Sequence, residues 1–383
     1  MTAAISPQRF AERLQGTSEA LSDAGVAAML IGVGPELEWL VGYAAQGHER
    51  LNLLVIAHDG RVSFIGPRLE EHAARSAPGF AAGSIEMLSW SEDQDPFPLV
   101  QQRVPGETRS PRRLAVSDGL RAAFLLGLQD ALANAEFEVA SRTLAPLRRV
   151  KDDEEVALLR VAAIAADRVI ESVIGGPLVG RSEAEIAKEV RERLVAEGHD
   201  SAEFAIVASG PNSASPHHEP GARVVVAGEP LLLDIGGRRA GYCSDITRTV
   251  WVAGDQAIEP DQRFAEIHGI VQRAQAAGRD AVRPGISFEA IDAAARDVIT
   301  AAGYGEQFFH RLGHGIGLEV HEDPYVVVGN RDVAVDGNTF SIEPGIYLEG
   351  EYGVRIEDAV LCTTDGADSL NAAPRELLIV SGI

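Results

Sequence analysis

The stretch Leu231-Leu232-Leu233-Asp234-Ile235-Gly236, followed by Ser244-Asp245-Ile246-Thr247-Arg248, decides how this chain is read. An apolar run ends on an aspartate, residues 236–241 supply a glycine-rich turn, and residues 242–252 return as a second strand. A hairpin of that kind sets Asp234 and Asp245 close to one another. Both carboxylates stand among apolar and glycine residues, where an unpaired charge is costly.

The same pattern recurs downstream. Glu343 closes Phe340-Ser341-Ile342, and Glu357 lies in Gly353-Val354-Arg355-Ile356-Glu357-Asp358. Two hairpins therefore predict four carboxylates at one centre, and four negative charges match two divalent cations. Oxygen ligands with a single imidazole favour Mn²⁺ or Co²⁺, with Zn²⁺ and Fe²⁺ also compatible. The imidazole comes from Leu312-Gly313-His314-Gly315-Ile316-Gly317-Leu318-Glu319-Val320-His321. On a helix, His310, His314 and His321 would share a face, but Gly313, Gly315 and Gly317 oppose a helix there. A loop folding three imidazoles toward the metal is expected instead. His217 and His218 occupy a proline-rich loop, where substrate-contacting groups are usually found. Cys243, two residues before Asp245, is too soft a ligand for this company and reads as small buried filler.

Working outward, the 383 residues exceed the size at which one core usually stops growing, so two domains are expected. A 45% hydrophobic content supplies their cores. The net charge of −23 argues against nucleic acid or an anionic membrane as partner. Two cysteines imply no disulfide framework and suit a reducing compartment. No signal-peptide pattern or transmembrane-length apolar run occurs, so a soluble cytoplasmic protein is expected.

The first half alternates helices and strands. Residues 7–23 form an amphipathic helix stopped by Gly25, residues 27–32 and 51–57 read as buried strands, and residues 58–61 turn into a strand at 62–65. Residues 92–98 read as a surface loop. Asp152 and Glu155 form a capping box that opens a long helix striped with Val156, Leu159, Ala163, Ala166 and Ile170. A boundary near residue 150 follows, giving domains 1–150 and 151–383. Within the second, Gly180, Ser182, Ile186, Gly198 and Phe204 recur at a constant offset as Gly285, Ser287, Ile291, Gly303 and Phe309. Each copy reads as a helix, a glycine stop and a strand, followed by its own carboxylate pair.

In this order and these contexts, Asp234, Asp245, His314, Glu343 and Glu357 resemble the pita-bread metallopeptidases. The Pro216-His217 loop resembles their proline-specific branch, Xaa-Pro dipeptidase (prolidase) and aminopeptidase P. The resemblance implies an α+β chain. Its C-terminal pita-bread fold would be a pseudo-two-fold antiparallel sheet covered by helices, preceded by a smaller α/β creatinase-type domain. It further implies that Asp234 binds one metal, that His314 and Glu343 bind the other, and that Asp245 and Glu357 bridge them. Glu343 would shuttle a proton, His217 and His321 would donate to the scissile carbonyl or tetrahedral intermediate, and His310 would line a proline pocket. Arg355 would support the ligands from behind. Tyr352 departs from the glycine many relatives carry and is expected to narrow the pocket mouth. Homodimers are common in the family.

The favoured expectation is a dipeptidase that cleaves Xaa-Pro through a metal-activated hydroxide, with Arg331 proposed to meet the substrate carboxylate. Aminopeptidase P, acting on longer peptides, is the alternative. Methionine aminopeptidase does not suit the leading domain, and a metal-free binding protein or creatinase-like hydrolase does not suit the intact ligand set.

Overall fold

The computed structural model describes residues 4–45, 47–81, 83–106 and 112–383. The chain divides into two compact units, Met1–Arg148 and Arg149–Ile383.

The first unit is built on a six-stranded mixed sheet in the order Ile85–Trp90, Val62–Pro67, Leu53–Ala57, Ala28–Ile31, Arg112–Val116, Ala135–Val139. The Leu53–Ala57/Val62–Pro67 hairpin turns at Gly60, whose positive φ of 87° favours glycine. Ala28–Ile31 pairs antiparallel with that hairpin and parallel with Arg112–Val116. The opening helix, Pro7–Ala24, is capped by Ser6 and stopped by Gly25 in the left-handed region. The expected loop at 92–98 is shorter than its composition suggests. A helix, Phe97–Arg103, starts inside it, because proline is tolerated in a first helical turn.

The second unit carries an antiparallel sheet whose main path runs Glu322–Val326, Gly313–Gly315, Thr339–Ile342, Glu357–Thr363, Ile246–Val252, Glu229–Arg239, Ser201–Ser209. The helices Asp153–Ile174 and Glu183–Ala196 share a core with the strands of the first half. Gln262–Ala281 and Phe288–Ala301 share one with the second. The capping box at Asp152 and Glu155 is formed; of the expected stripe Val156 is only half-buried, while Leu158, Ala162, Ala165 and Val169 are buried in addition to the rest.

The internal repeat is visible in the backbone. Ser182 and Ser287 both cap their helices, and both sit in isolated bridges, to Val224 and Val333. Gly180 and Gly285, both with positive φ, donate to the backbone of Val225 and Ala334. The copies diverge after the glycine stop. Gly198 leads directly to the nine-residue strand Ser201–Ser209, whereas Gly303 is followed by a 3₁₀ turn and the three-residue strand Gly313–Gly315. The halves meet where Ile246 and Thr247 pair with Asp358 and Glu357, which brings the carboxylate-bearing strands side by side.

Candidate metal centre

Asp234 lies within Glu229–Arg239, in register with Thr247, and Asp245 stands just before the partner strand Ile246–Val252. The second pair departs from a simple hairpin. Thr339–Ile342 pairs with Glu357–Thr363, so Glu343 emerges beside Glu357, but the intervening chain makes its own hairpin, Gly345–Leu348 with Tyr352–Arg355.

The glycines around His314 have a packing reason. A Cβ on Gly313 would lie 1.9 Å from the Ser341 carbonyl oxygen, and one on Gly315 would lie 2.5 Å from the Asp323 backbone. Only glycine lets this strand approach its neighbours, so the segment is a buried short strand with a register shift after His314, rather than a loop.

Asp245, His314 and Glu357 are buried, and each offers a ligand atom within 4.8 Å of the others. His314 Nδ1 faces the Gly315 carbonyl at 3.2 Å, so its N–H donates there and Nε2 is left toward the carboxylates. Nε2 stands 3.2 Å from Glu343 Oε1 and 3.6 Å from Asp245 Oδ2, contacts that need a proton or a cation between them. Asp234 joins through Arg355, whose guanidinium donates to Asp234 Oδ2 at 2.6 Å.

Two observations test whether this cluster suits divalent cations. Asp234 Oδ1 and Glu357 Oε1 are buried and have no hydrogen-bond partner, although buried carboxylate oxygens are normally satisfied. Burial, followed by repulsion from neighbouring carboxylates, pushes Asp245 and Glu357 well above the carboxylate range. Burial also raises Asp234, with Arg355 opposing. At Glu343 the burial effect is outweighed by the hydrogen bond and charge of His314, so that carboxyl is held low. Oxygen-rich, crowded and partly unsatisfied, the donor set fits hard or borderline divalent ions.

The cluster lines a cavity of about 860 Å³, which sequence-selected His217, His310, His321 and Arg355 also line. The His314 and His321 rings lie 4.1 Å apart. Burial, with the nearby His314 and Arg311 charges, lowers His321 to about 4, so its imidazole is neutral at physiological pH. His310 is lowered as well, mainly by burial. Its ring closes a relay in which Arg355 donates to the Tyr347 hydroxyl at 2.8 Å and that hydroxyl lies 3.0 Å from His310 Nε2. His310 Nδ1 in turn contacts the Arg311 carbonyl at 2.7 Å.

Other expectations separate here. His218 turns away from the cavity and pairs with Glu183 at 2.7 Å. Arg331 does not line the cavity; its side chain is 87% exposed and lies 3.8 Å from Glu289. Tyr352 packs edge-on against Phe264 rather than at the cavity mouth, because its strand directs it into the second core. Cys243 is buried, with its sulfur near the Leu318 carbonyl and its thiol pushed up by burial.

Sequence reasoning passed over Arg311, Tyr347 and Thr247. Arg311 lines the cavity with its guanidinium over the Tyr325 ring, and its only signal was its place beside His310. Thr247 donates to Glu357 Oε2 at 2.6 Å and accepts from Arg355. Its position two residues after Asp245, on the same strand face, could have indicated this. Tyr347 gave no local signal. Among the described residues, no helix is long and apolar enough to cross a membrane.

Residues 157–364 match the model of metallopeptidase family M24, and residues 13–150 match the creatinase/prolidase N-terminal domain. The chain is 43% identical to a probable dipeptidase PepE of Mycobacterium bovis over 97% of its length and 96% of that protein. It is 35% identical to an Xaa-Pro dipeptidase of Lactobacillus helveticus, over 90% and 92% of the two chains. The crystal structure of dipeptidase PepE from Mycobacterium ulcerans superposes with a TM-score of 0.92 at 42% identity, covering 98% of this chain and 99% of that one. The chain therefore belongs to metallopeptidase family M24, in its prolidase and aminopeptidase P branch, and is a metallopeptidase.

Proposed function

We propose that this enzyme hydrolyses Xaa-Pro dipeptides at two divalent ions held by Asp234, Asp245, His314, Glu343 and Glu357. The observation that carries the proposal is the set of four carboxylates around one imidazole, Asp234, Asp245 and Glu357 buried and Glu343 half-buried, with an oxygen of Asp234 and another of Glu357 unpartnered. Asp234 would hold one ion and His314 with Glu343 the other, and Asp245 and Glu357 would be shared between them. When bound, the ions supply Lewis acidity and allow water to act as nucleophile at neutral pH.

The remaining work falls to the chain's own side chains. Glu343, beside His314 on the cavity wall, accepts a proton from the attacking water and returns it to the leaving imino nitrogen of proline. His217 and His321 donate hydrogen bonds to the carbonyl oxygen as it gains negative charge. Neutral His321 has one N–H for this purpose, which suits an oxyanion without requiring a buried second charge. His310, backed by Phe308 at 4.9 Å between ring centroids and by Tyr347, forms an apolar wall suited to a proline ring. Arg355 keeps Asp234 oriented.

The dipeptide preference is supported by Arg311 on the cavity wall, a cation for a free carboxylate. Arg311, rather than the exposed Arg331, takes this role. Mn²⁺ is the metal most compatible with this donor set. By family resemblance we infer a homodimer, with a domain boundary near residue 150. The two free buried cysteines suit a reducing cytoplasm.

The test is hydrolysis of an Xaa-Pro dipeptide and a matched Xaa-Pro-Xaa-Xaa tetrapeptide, each with and without added Mn²⁺. Mn²⁺-dependent cleavage confined to the dipeptide is expected. Preferred cleavage of the tetrapeptide would replace this reading with aminopeptidase P, and indifference to divalent ions would overturn the metal assignment.

A further inference from the structure

Glu183 is fully buried at the first turn of the helix Glu183–Ala196, and no catalytic role is assigned to it above. Every hydrogen bond to its carboxylate comes from one loop, residues 209–221. Oε1 accepts from the Ser209 backbone N–H and hydroxyl, both at 2.8 Å, and from Asn212 Nδ2 at 3.0 Å. Oε2 accepts from Asn212 Nδ2 at 3.1 Å, from His218 Nε2 at 2.7 Å and from the Gly221 N–H at 3.4 Å. The carboxylate thus clasps both ends of the loop, and between those ends Ser215, Pro216 and His217 line the cavity. Burial alone would raise Glu183, but these hydrogen bonds outweigh it and hold the group ionised.

The internal repeat separates this arrangement from a demand of the fold. At the same offset in the second half, the first helical residue after Ser287 is Phe288, fully buried and packed edge-on against Phe340. An apolar side chain satisfies the architecture at this position. In the first half a charge occupies it, and that charge is spent entirely on the loop that bears His217.

We propose that Glu183 is a positioning residue, whose carboxylate fixes the 209–221 loop so that His217 faces the reacting carbonyl. The proposal rests on the reading of His217 as a donor to substrate. Gln at position 183 would turn an N–H₂ toward fixed donors, either the Ser209 and Asn212 N–H groups or the Gly221 N–H, and loosen that end of the clasp. Misplacing a catalytic group by about 1 Å can cost on the order of 10²-fold in rate.

The test is a double-mutant cycle of Glu183→Gln and His217→Ala in the Mn²⁺-loaded enzyme, with kcat and KM measured on an Xaa-Pro dipeptide. His218→Ala serves as a second, milder probe that leaves the Glu183 bonds to Ser209 and Asn212 in place. Hydrogen exchange over residues 209–221 and calorimetric Mn²⁺ binding accompany the kinetics. We expect Glu183→Gln to lower kcat by roughly 10²-fold, with KM and Mn²⁺ affinity little changed and exchange faster only in the loop. His218→Ala should act in the same direction by roughly tenfold. Neither change should lower kcat further once His217 is alanine. Full additivity in the His217→Ala background, unchanged kcat in Glu183→Gln, or loss of Mn²⁺ binding would overturn the proposal while leaving the metallopeptidase reading intact. A His217→Ala enzyme with unimpaired kcat would instead refute the role of His217 itself, and this inference with it.

Discussion

Replacing Arg355 with methionine removes the guanidinium that pairs with Asp234 and three further hydrogen bonds, to Thr247, Tyr347 and the Pro216 carbonyl. Arg355 is 2% exposed and Asp234 is 8% exposed, so the carboxylate left behind cannot recruit much water. Breaking a buried ion pair from one side costs about 3–5 kcal/mol, because the remaining charge keeps its desolvation penalty. For a unit of this size each kcal/mol moves Tm by about 2–4 °C, so the chelated variant should melt roughly 10 °C below the wild type. Bound metal supplies the missing positive charge, so in saturating Mn²⁺ the loss should shrink by about 1 kcal/mol or more, which is the coupling between Arg355 and the site. Scanning calorimetry of both proteins, with EDTA and with Mn²⁺, completes the cycle. Arg355→Lys, which keeps the charge but loses the forked geometry, should fall between them. Equal losses with and without metal, or a drop under about 2 °C in EDTA, would refute the idea that Arg355 neutralises this centre.

Metal binding should release protons, because Asp245 and Glu357 are raised in the folded chain and near 4 when unfolded. Their contribution to the stability of the chelated protein is present below about pH 4 and lost as pH rises through the raised values, so the Tm gain on adding Mn²⁺ should grow from pH 5 to 7.5; a flat gain contradicts the charge argument. His268, buried on the helix Gln262–Ala281 and lowered by burial to about 4, acts in the opposite sense. The unfolded chain takes up its proton near 6.5 and the folded one only near 4, so about 3 kcal/mol should be lost as pH falls through that window. His268→Gln should flatten the acid side of a urea-melt profile, and parallel profiles would dismiss this source. Gly313→Ala forces a Cβ against the Ser341 carbonyl and should weaken Mn²⁺ binding by about 10–100-fold through His314, read by calorimetry. Arg311→Ala should raise KM for a dipeptide by at least about tenfold and leave an amidated dipeptide unaffected; equal effects on both would remove its role as carboxylate partner.

Much of this was legible along the chain, because its signals are local. Pro7, Gly25, Asp152 and Glu155 act within one helical turn, and capping chemistry placed those helix ends closely. The repeat was readable because glycines with positive φ and capping serines are specified residue by residue. The five proposed ligands stood out because charges among apolar and glycine neighbours are costly wherever the chain takes them.

Other features depended on contacts between residues far apart in sequence. The three-residue strand at Gly313–Gly315 exists because Ser341 and Asp323 crowd it, and no local pattern announces so short a strand. His217 and His218 are adjacent in one loop, and the Glu183 carboxylate, from a preceding helix, turns His218 away and leaves His217 on the cavity wall. Arg331 was the cation expected from the sequence, but packing against Tyr325 keeps Arg311 at the cavity while Arg331 extends into solvent. By itself the sequence determined which groups could form a metal centre, since charge and polarity belong to residue types. Which arginine faces that centre, and what holds His217 toward it, was decided by the tertiary structure, because side-chain direction follows from strand register and from partners outside the local segment.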